Sequence, residues 1–536
     1  MKYSCLLVSS FLFFVIAANA QRKFFVAANG SDNNDGRSAA TAWKSLSKIS
    51  SMQLQPGDSI LLRGGDVFAG SIQLDAKDGG SPEKPVALAS YGAGKATIDA
   101  GNGDGIAAMN VSNIIIAGLA VHGSSVENNK GNGIIFYSDD SLHTPQNIRI
   151  SNCEVKGFHN YGIFISCADN EKVNGYSNVS ITNCIATENG EAGIASFGGL
   201  KKFGHRRFYV AHCIAYNNKG ILTKTDNHSG NGIVMGGVED ITIEYCEAYH
   251  NGANNRCKAG GPVGIWIWMS RNAVIQHCVS HNNYSGTTVD GGGFDIDGGC
   301  SNCTMQYNYS YGNEGAGYLV CEYGALLPYA GNVVRFNVSE NDGKKNSYGG
   351  ITVAGAGKDF KVTDSYIYNN TVYVNDENVI DGVPAAVKLY ADYFSSTVIA
   401  NNIFVTKGNV NFLNSDTAIS KEQLLMLHNN YFSTTGNYNF KVGSKNFTSL
   451  TDWAAFSVAQ EKWNGEAMYI NADPGFYRDK KQKAEPAGSE KYFLSNKSAL
   501  KKKTFNLAEY FPAIAKKGAA TREMTGDYKF YPGAYK

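Results

Sequence analysis

Four acidic residues are the first candidates for chemistry in this chain. The segment "TTVDGGGFDIDGG" (287–299) carries Asp290, Asp295 and Asp297, and Glu322 follows the later segment "GYLVC". Glycosidic cleavage needs one protonated carboxyl group at the leaving oxygen and one carboxylate that attacks the sugar or activates water. Crowded carboxylates raise the pKa of one member, which keeps a proton available near neutral pH. We therefore predict Asp297 as nucleophile or base, Glu322 as general acid and Asp295 as a supporting carboxylate.

The local pattern around these aspartates allows two interpretations. Glycine this dense is typical of a turn, in which the aspartates would be solvated or would form a Ca²⁺ site with Asp290. The core "GFDID" also reads as a short strand with alternating faces. The rest of the chain favours the strand, because the same glycine–apolar pattern recurs along it.

An internal repeat of roughly 30 residues organises the chain. One strand-like segment in each repeat ends on cysteine, as in "NIRISNCEV" from 147 and "DITIEYCEA" from 240. A turn rich in Asn and Gly follows, and then a second short strand that begins with glycine. These second strands are "GIFIS", "GIASF", "GIVMG", "GIWIW", "GFDID", "GYLVC" and "GITVA". The pattern predicts an all-β fold, a right-handed parallel β-helix, with handedness taken from the general rule for parallel crossovers.

Two columns of identical residues support stacked coils. In a parallel sheet, equivalent residues of successive coils lie about 4.8 Å apart, so asparagines can form a hydrogen-bonded ladder and cysteines can stack as buried thiols. The cysteine column is Cys153, Cys184, Cys213, Cys246 and Cys278, continued by Asn308. The asparagine column is Asn189, Asn218, Asn251, Asn283 and Asn313.

Aligning the second strands places the acidic residues on the outer face of one sheet. Alternation points Phe294 and Ile296 inward and the aspartates outward, with Trp266 and Trp268 one coil below. Exposed aromatic rings on a solenoid mark a binding surface, and such rings stack on sugars. The alternative is that an insertion at 252–263 covers both rings.

Two other functions remain open at this point. A polysaccharide lyase would need a base and a cation beside a uronate carboxylate. His250 and His281 are candidate bases or substrate-binding residues, and Asp290, Asp295 and Asp297 are the possible Ca²⁺ ligands in that case. A hydrolase would need no cofactor or metal. A non-catalytic carbohydrate-binding solenoid would keep the tryptophans and not require the carboxylates.

The ends and the composition limit the partners. Residues 1–20 have a basic start, an apolar run and a small-residue cleavage site before Gln21, which predicts a signal peptide and a secreted or periplasmic protein. The formal net charge of +1 gives no bulk attraction for nucleic acid, and no later apolar run is long enough to span a membrane. We expect a monomer that acts on a poly- or oligosaccharide. We divide the chain into an N-terminal cap with the first coils (21–110), β-helix repeats with the site (111–440) and C-terminal coils or cap (441–536).

The flanking segments resemble a known group of proteins. The segment "SAATAWKSLSKISSM" (38–52) predicts an amphipathic capping helix with Trp43, Leu46 and Ile49 on one face. With its neighbours "FFVAANGSDNNDG" and "LQPGDSILLRGGDVFAGSI", and with "ADPGF" and "YPGAY" near the end, the chain resembles secreted bacterial right-handed β-helix proteins of the pectin-lyase-like superfamily. That resemblance implies the fold and a carbohydrate-active protein. It leaves the activity open, because the group includes hydrolases, lyases, epimerases and phage-type adhesins.

Overall fold

The chain forms one long parallel solenoid in the computed structural model. The structure describes residues 21–287, 289–391, 393–457, 461–463, 466–476, 488–503, 505–507, 511 and 533–534. The predicted signal peptide lies outside these residues, as does much of the predicted C-terminal cap. Each full coil contributes one strand to each of three sheets. Among the described residues, the strands of these sheets pair in parallel with their counterparts one coil away, except for Lys445–Phe447 at the end of the third sheet. The predicted parallel β-helix is therefore confirmed.

The three sheets run the length of the solenoid. Within the described residues, the first sheet comprises Lys23–Val26, Ser59–Arg63, Val86–Tyr91, Ile114–Ala117, Gln146–Ser151, Ser177–Thr182, His205–Ala211, Val238–Glu244, Arg271–Gln276, Thr304–Gln306, Val333–Arg335, Tyr366–Tyr368, Thr397–Ala400 and Leu424–Leu427. The second sheet, over the same described part, comprises Val67–Ala69, Ala96–Gly101, Leu119–Gly123, Glu154–Lys156, Ile185–Thr187, Ile214–Tyr216, Glu247–Tyr249, Val279–His281, Tyr309–Tyr311, Val338–Glu340, Thr371–Asn375, Ile403–Lys407 and Asn430–Ser433.

The third sheet carries the predicted site. Its described strands are Ile72–Leu74, Ile106–Met109, Ile134–Ser138, Tyr161–Cys167, Ala192–Phe197, Asn231–Gly236, Val263–Trp268, Gly292–Ile296, Tyr318–Glu322, Gly349–Gly355, Ala385–Tyr390, Asn411–Ser415, Asn439–Val442 and the antiparallel Lys445–Phe447. Two small strand pairs lie apart from the three sheets, Val362–Thr363 with Phe394–Ser395 and Lys462–Trp463 with Glu466–Ala467. No helix among the described residues is long and apolar enough to cross a membrane.

Columns of side chains hold the coils in register. The Nδ2 group of each asparagine in the predicted column donates to the Oδ1 atom of the next, at 2.9 to 3.1 Å from Asn189 to Asn313. A second ladder begins at Asn308 and continues through Asn337, Asn370, Asn402 and Asn429. The column cysteines are free, buried thiols that pack in the apolar interior. Both column predictions are confirmed.

The N-terminal helix is shorter than predicted. Only Leu46–Ser50 is α-helical, after a 3₁₀ turn at Ala39–Thr41. Trp43 instead forms an extended bridge with Val26, because the backbone between the two helical turns adds to the first sheet. Trp43, Leu46 and Ile49 are all buried as the pattern predicted, so the segment still closes the lower end of the core. Outside the strands there are also helix Leu450–Phe456 and 3₁₀ turns at Ala76–Asp78, Gly488–Tyr492 and Ala499–Lys502.

Candidate active site

The third sheet brings the predicted carboxylates to its outer face. Phe294 and Ile296 are fully buried in the interior, so Asp295 between them points to the opposite face. Asp295 pairs in register with Trp266 on the coil below and with Leu319 on the coil above. Asp297 follows directly after the strand and continues the pairing, since its amide donates to Ile267 O at 2.9 Å. The strand interpretation of "GFDID" is therefore correct.

This outer face is covered, which corrects the expectation that Trp266 is exposed. Trp266 is 6% exposed and Asp295 is 3% exposed. The indole Nε1 of Trp266 donates to Asn231 Oδ1 at 3.1 Å, and the ring of His228 lies 5.6 Å from the indole. Gly260, in the insertion at 252–263, lies against the His228 ring. The alternative of a covering insertion therefore holds for Trp266.

The second tryptophan stays partly open to solvent. Trp268 pairs with Gly236, and a Cβ atom added to Gly236 would lie 2.2 Å from the indole. The missing side chain therefore makes room for the Trp268 ring, whose centre lies 5.9 Å from that of Phe197. The two tryptophan rings belong to an apolar strip that leads along the outer face toward the aspartates. Its members are Tyr161, Phe164, Ala192, Ala195, Val234, Val263, Trp266 and Trp268.

Asp295 and Asp297 share an unusual environment. The Oδ1 atom of each is buried without a hydrogen-bond partner. Burial, followed by the charges of Asp297 and Asp290, raises the pKa of Asp295 well above its usual range. Burial also raises the pKa of Asp297 to about 8, with the charge of Asp290 adding to the effect. Both groups therefore favour the protonated form, as expected for a proton donor in a crowded recess.

Asp290 lies in the loop that precedes strand Gly292–Ile296, and its carboxyl group accepts two hydrogen bonds. The hydroxyl group of Tyr348 donates to Oδ1 at 2.9 Å, and the Gly261 amide donates to Oδ2 at 2.9 Å. Burial raises the pKa of Asp290, and these two hydrogen bonds oppose that rise. Of the three aspartates, Asp290 thus has the environment that best supports a negative charge. The sequence marked Asp290 only as a possible Ca²⁺ ligand.

Glu322 is engaged by the backbone. Its Oε2 atom accepts from the Gly299 amide at 3.0 Å, and its Oε1 atom accepts from the amides of Gly324 and Ala325 at 2.6 and 2.7 Å. Glu322 is 3% exposed. A carboxylate that fixes two loops in this way has both oxygens occupied, so the geometry argues against the predicted role of Glu322 as the general acid.

The two predicted histidines lie on a different sheet. His281 ends the second-sheet strand Val279–His281, where its ring stacks between Tyr249 and Tyr311 at 5.0 and 4.4 Å. His250 follows the strand of Tyr249 and contacts the same aromatic stack. The structure therefore does not bring the two imidazoles to the carboxylates on the third sheet. In the described part of the chain, no group of three or more His, Cys, Asp or Glu residues is arranged to hold a metal ion.

Comparison with known protein families identifies the type of solenoid. Residues 141–333 match the model described as "Right handed beta helix region". The fold is a right-handed parallel β-helix. The matched segment includes the strands of Trp266 and Asp295, and the handedness taken from the general crossover rule is confirmed.

The proteins similar to this chain include lacto-N-biosidases. Lacto-N-biosidase from Bifidobacterium longum subsp. longum is 24% identical over 488 aligned residues, which cover 71% of this chain and 28% of that protein. The chain thus spans little more than a quarter of that relative. Two crystal structures of GH136 lacto-N-biosidase from Eubacterium ramulus superpose with TM-scores of 0.53 and 0.52, at 18% and 19% identity. The first alignment covers 76% of this chain and 67% of the other, and the second covers 73% and 65%.

Proposed function

We propose that this protein is a glycoside hydrolase that cleaves an oligosaccharide or polysaccharide in the recess around Asp290, Asp295 and Asp297. One observation carries the proposal. Two carboxyl oxygens lie buried without partners beside a third carboxyl group, at the end of a strip of aromatic and aliphatic side chains. A folded protein rarely leaves such atoms unsatisfied except where a ligand binds or chemistry occurs.

The environments of the aspartates indicate their roles. Asp297, with its pKa raised to about 8, holds a proton at neutral pH and gives it to the leaving oxygen as the glycosidic bond breaks. Asp290, supported by Tyr348 and Gly261, is the carboxylate that attacks the anomeric carbon or activates the water that does so. Asp295 stays protonated and supports the pair, which keeps the supporting role that we expected from the sequence. This assignment replaces Glu322 and moves Asp297 from base to acid.

The substrate class follows from the surface and from the relatives. An apolar strip with a partly open indole favours stacking on sugar rings, and the formal net charge of +1 gives no general attraction for polyanions. The aligned relatives are named for lacto-N-biose, so oligosaccharides that carry this unit are the first substrates to test. The signal-like segment 1–20 supports an exported enzyme that meets such substrates outside the cytoplasm.

The test is a screen of the purified protein with two readouts. Reducing-end release and ultraviolet absorbance of unsaturated uronates are followed on p-nitrophenyl lacto-N-bioside, neutral glycans and uronate polymers, with and without EDTA. We expect new reducing ends, flat absorbance and no effect of EDTA. Asp290→Asn and Asp297→Asn should each lower kcat/KM by about 10²-fold or more, while Asp359→Asn, at an exposed position, should not.

Two outcomes would replace the proposal. Rising absorbance that EDTA abolishes would establish a Ca²⁺-dependent lyase and make the aspartates metal ligands. Sugar binding that survives in both Asn variants, with no cleavage by any form of the protein, would establish a binding solenoid.

A further inference from the structure

Hydrogen bonds around the Asp290 loop skip a coil. Most contacts in the solenoid join neighbouring coils, whose residues are about 30 positions apart. Tyr348 and Asp290 are 58 positions apart, and Lys345 and Ser285 are 60 apart. The segment before strand Gly349–Gly355 thus reaches across the intervening coil to the loop below.

Lys345 and Glu314 fix the start of that loop. The Nζ group of Lys345 donates to Ser285 Oγ at 2.9 Å and to Gly286 O at 3.0 Å. The Oε2 atom of Glu314 accepts from the amide and the hydroxyl group of Ser285, both at 2.8 Å, and lies 3.7 Å from Lys345 Nζ. These partners hold the loop in place before it reaches Asp290.

Tyr348 contacts Asp290 at two points. Its hydroxyl group donates to Asp290 Oδ1 at 2.9 Å and accepts from the Asp290 amide at 3.1 Å. Asp290 has a backbone φ of +57°, in the left-handed region that many turn residues of this solenoid also occupy. One buried hydroxyl group therefore contacts both the backbone and the carboxyl group of this residue, and the Gly261 amide binds the other carboxyl oxygen.

The ring of Tyr348 is itself fixed. It packs in an apolar cluster with Ala316 and Leu319, and it meets the ring of Tyr390 edge to face at 5.5 Å. The Tyr390 hydroxyl group donates to Asn346 O at 2.9 Å and not to Asp290. Tyr390 is thus a natural control, because it shares the cluster without contacting the carboxyl group.

We propose that Tyr348 is a positioning residue, which orients the Asp290 carboxyl group for reaction and stabilises its charged form from two coils above. This inference rests on the proposed hydrolase function. The charged and titratable groups around Asp290 are Asp295, Asp297, Cys321, Tyr348 and Tyr390. Of these, Tyr348 is the one whose hydroxyl group donates to Asp290, so its removal should act on Asp290 directly.

The test compares Tyr348→Phe with Tyr390→Phe, using p-nitrophenyl lacto-N-bioside as the probe. Tyr348→Phe loses a hydrogen bond to a charged group, so its kcat/KM should be about 10- to 100-fold lower. The acidic limb of its pH profile of kcat/KM should lie about one pH unit higher. The limb should rise because the carboxylate form of Asp290 loses a donor. Tyr390→Phe should keep the parent profile. The limb position does not depend on the fraction of folded enzyme, so partial misfolding would not obscure it.

A second readout needs no substrate. Ionisation of Asp290 costs more stability without the Tyr348 donor, so the melting temperature of Tyr348→Phe should fall further below the parent value at pH 8 than at pH 4. The inference would be overturned if Tyr348→Phe kept the parent pH profile and its melting temperature differed from the parent value by the same amount at both pH values. If Asp290→Asn were inactive in the same experiment, the proposed function would still stand. Full activity in both Asp290→Asn and Asp297→Asn would overturn both.

Discussion

Asp297→Asn should be more stable than the wild type, and the difference in the free energy of unfolding should grow as the pH rises. Burial beside Asp290 raises the pKa of Asp297 to about 8, whereas an aspartic acid in the unfolded chain has a pKa of about 3.9. The folded protein therefore keeps a proton that the unfolded chain releases. Below pH 4, the contribution of Asp297 to the free energy of unfolding of the wild type is fully present. This contribution is lost progressively as the pH rises toward 8 and changes little above that value. The amide of asparagine does not ionise, so the variant avoids this loss.

The size of the effect follows from the two pKa values. The penalty that the wild type carries relative to the variant is below ~1 kcal/mol at pH 4, on the order of 3 kcal/mol at pH 6 and on the order of 5 kcal/mol at pH 8. A gain in stability together with a loss of activity is the pattern expected where a site keeps an unfavourable buried group for function.

Thermal and urea denaturation of both proteins at pH 4, 6 and 8, followed by circular dichroism, provide the measurement. The gap in melting temperature between Asp297→Asn and wild type should widen steadily over this range. Asp359→Asn serves as the control, because Asp359 is exposed and its gap should stay constant. A gap for Asp297→Asn that is equally constant would refute the claim that Asp297 is held in its protonated form.

Three further substitutions test other parts of the structure. Glu322→Gln should lower the free energy of unfolding by about 1–3 kcal/mol, because three backbone amides lose a charged acceptor; a normally stable but inactive variant would instead support Glu322 as the acid. Gly236→Ala should displace the Trp268 ring and raise KM several-fold with little change in kcat, and an unchanged KM with unchanged tryptophan fluorescence would contradict this. Asn251→Ala breaks ladder bonds to both neighbouring coils and should cost about 2–4 kcal/mol in urea denaturation; an unaltered midpoint would show that the ladder contributes little.

The sequence predicts the fold well because each coil repeats the same short sequence pattern. Alternating apolar residues, a glycine before each third-sheet strand and asparagines at the turns all depend on near neighbours and on the coil directly above or below. The column alignment therefore places Asp295 beside Trp266 in the correct register. The same local reasoning overestimates the N-terminal helix, since the bridge between Trp43 and Val26 is a pairing that helical periodicity does not reveal.

The candidate site is harder to predict because its details depend on irregular loops. Trp266 points to the outer face as expected, yet His228 and the insertion beside it cover the ring. Glu322 lies one coil above the aspartates as expected, yet it binds backbone amides whose directions no side-chain pattern encodes. Tyr348 reaches Asp290 from two coils away, and no repeat in the sequence marks that contact.

Because the protein is a stack of similar coils, the number of coils can change without altering the recess. The three aspartates and the groups that contact them lie within a few successive coils, from the coil of strand Asn231–Gly236 to the coil of strand Gly349–Gly355. Because coupling passes mainly between neighbours, duplication or loss of a whole coil elsewhere would leave those coils unchanged. Evolution can thus lengthen or shorten the rod, or join it to additional segments, while the recess is inherited intact. A relative nearly four times the length of the shared region fits this mode of divergence.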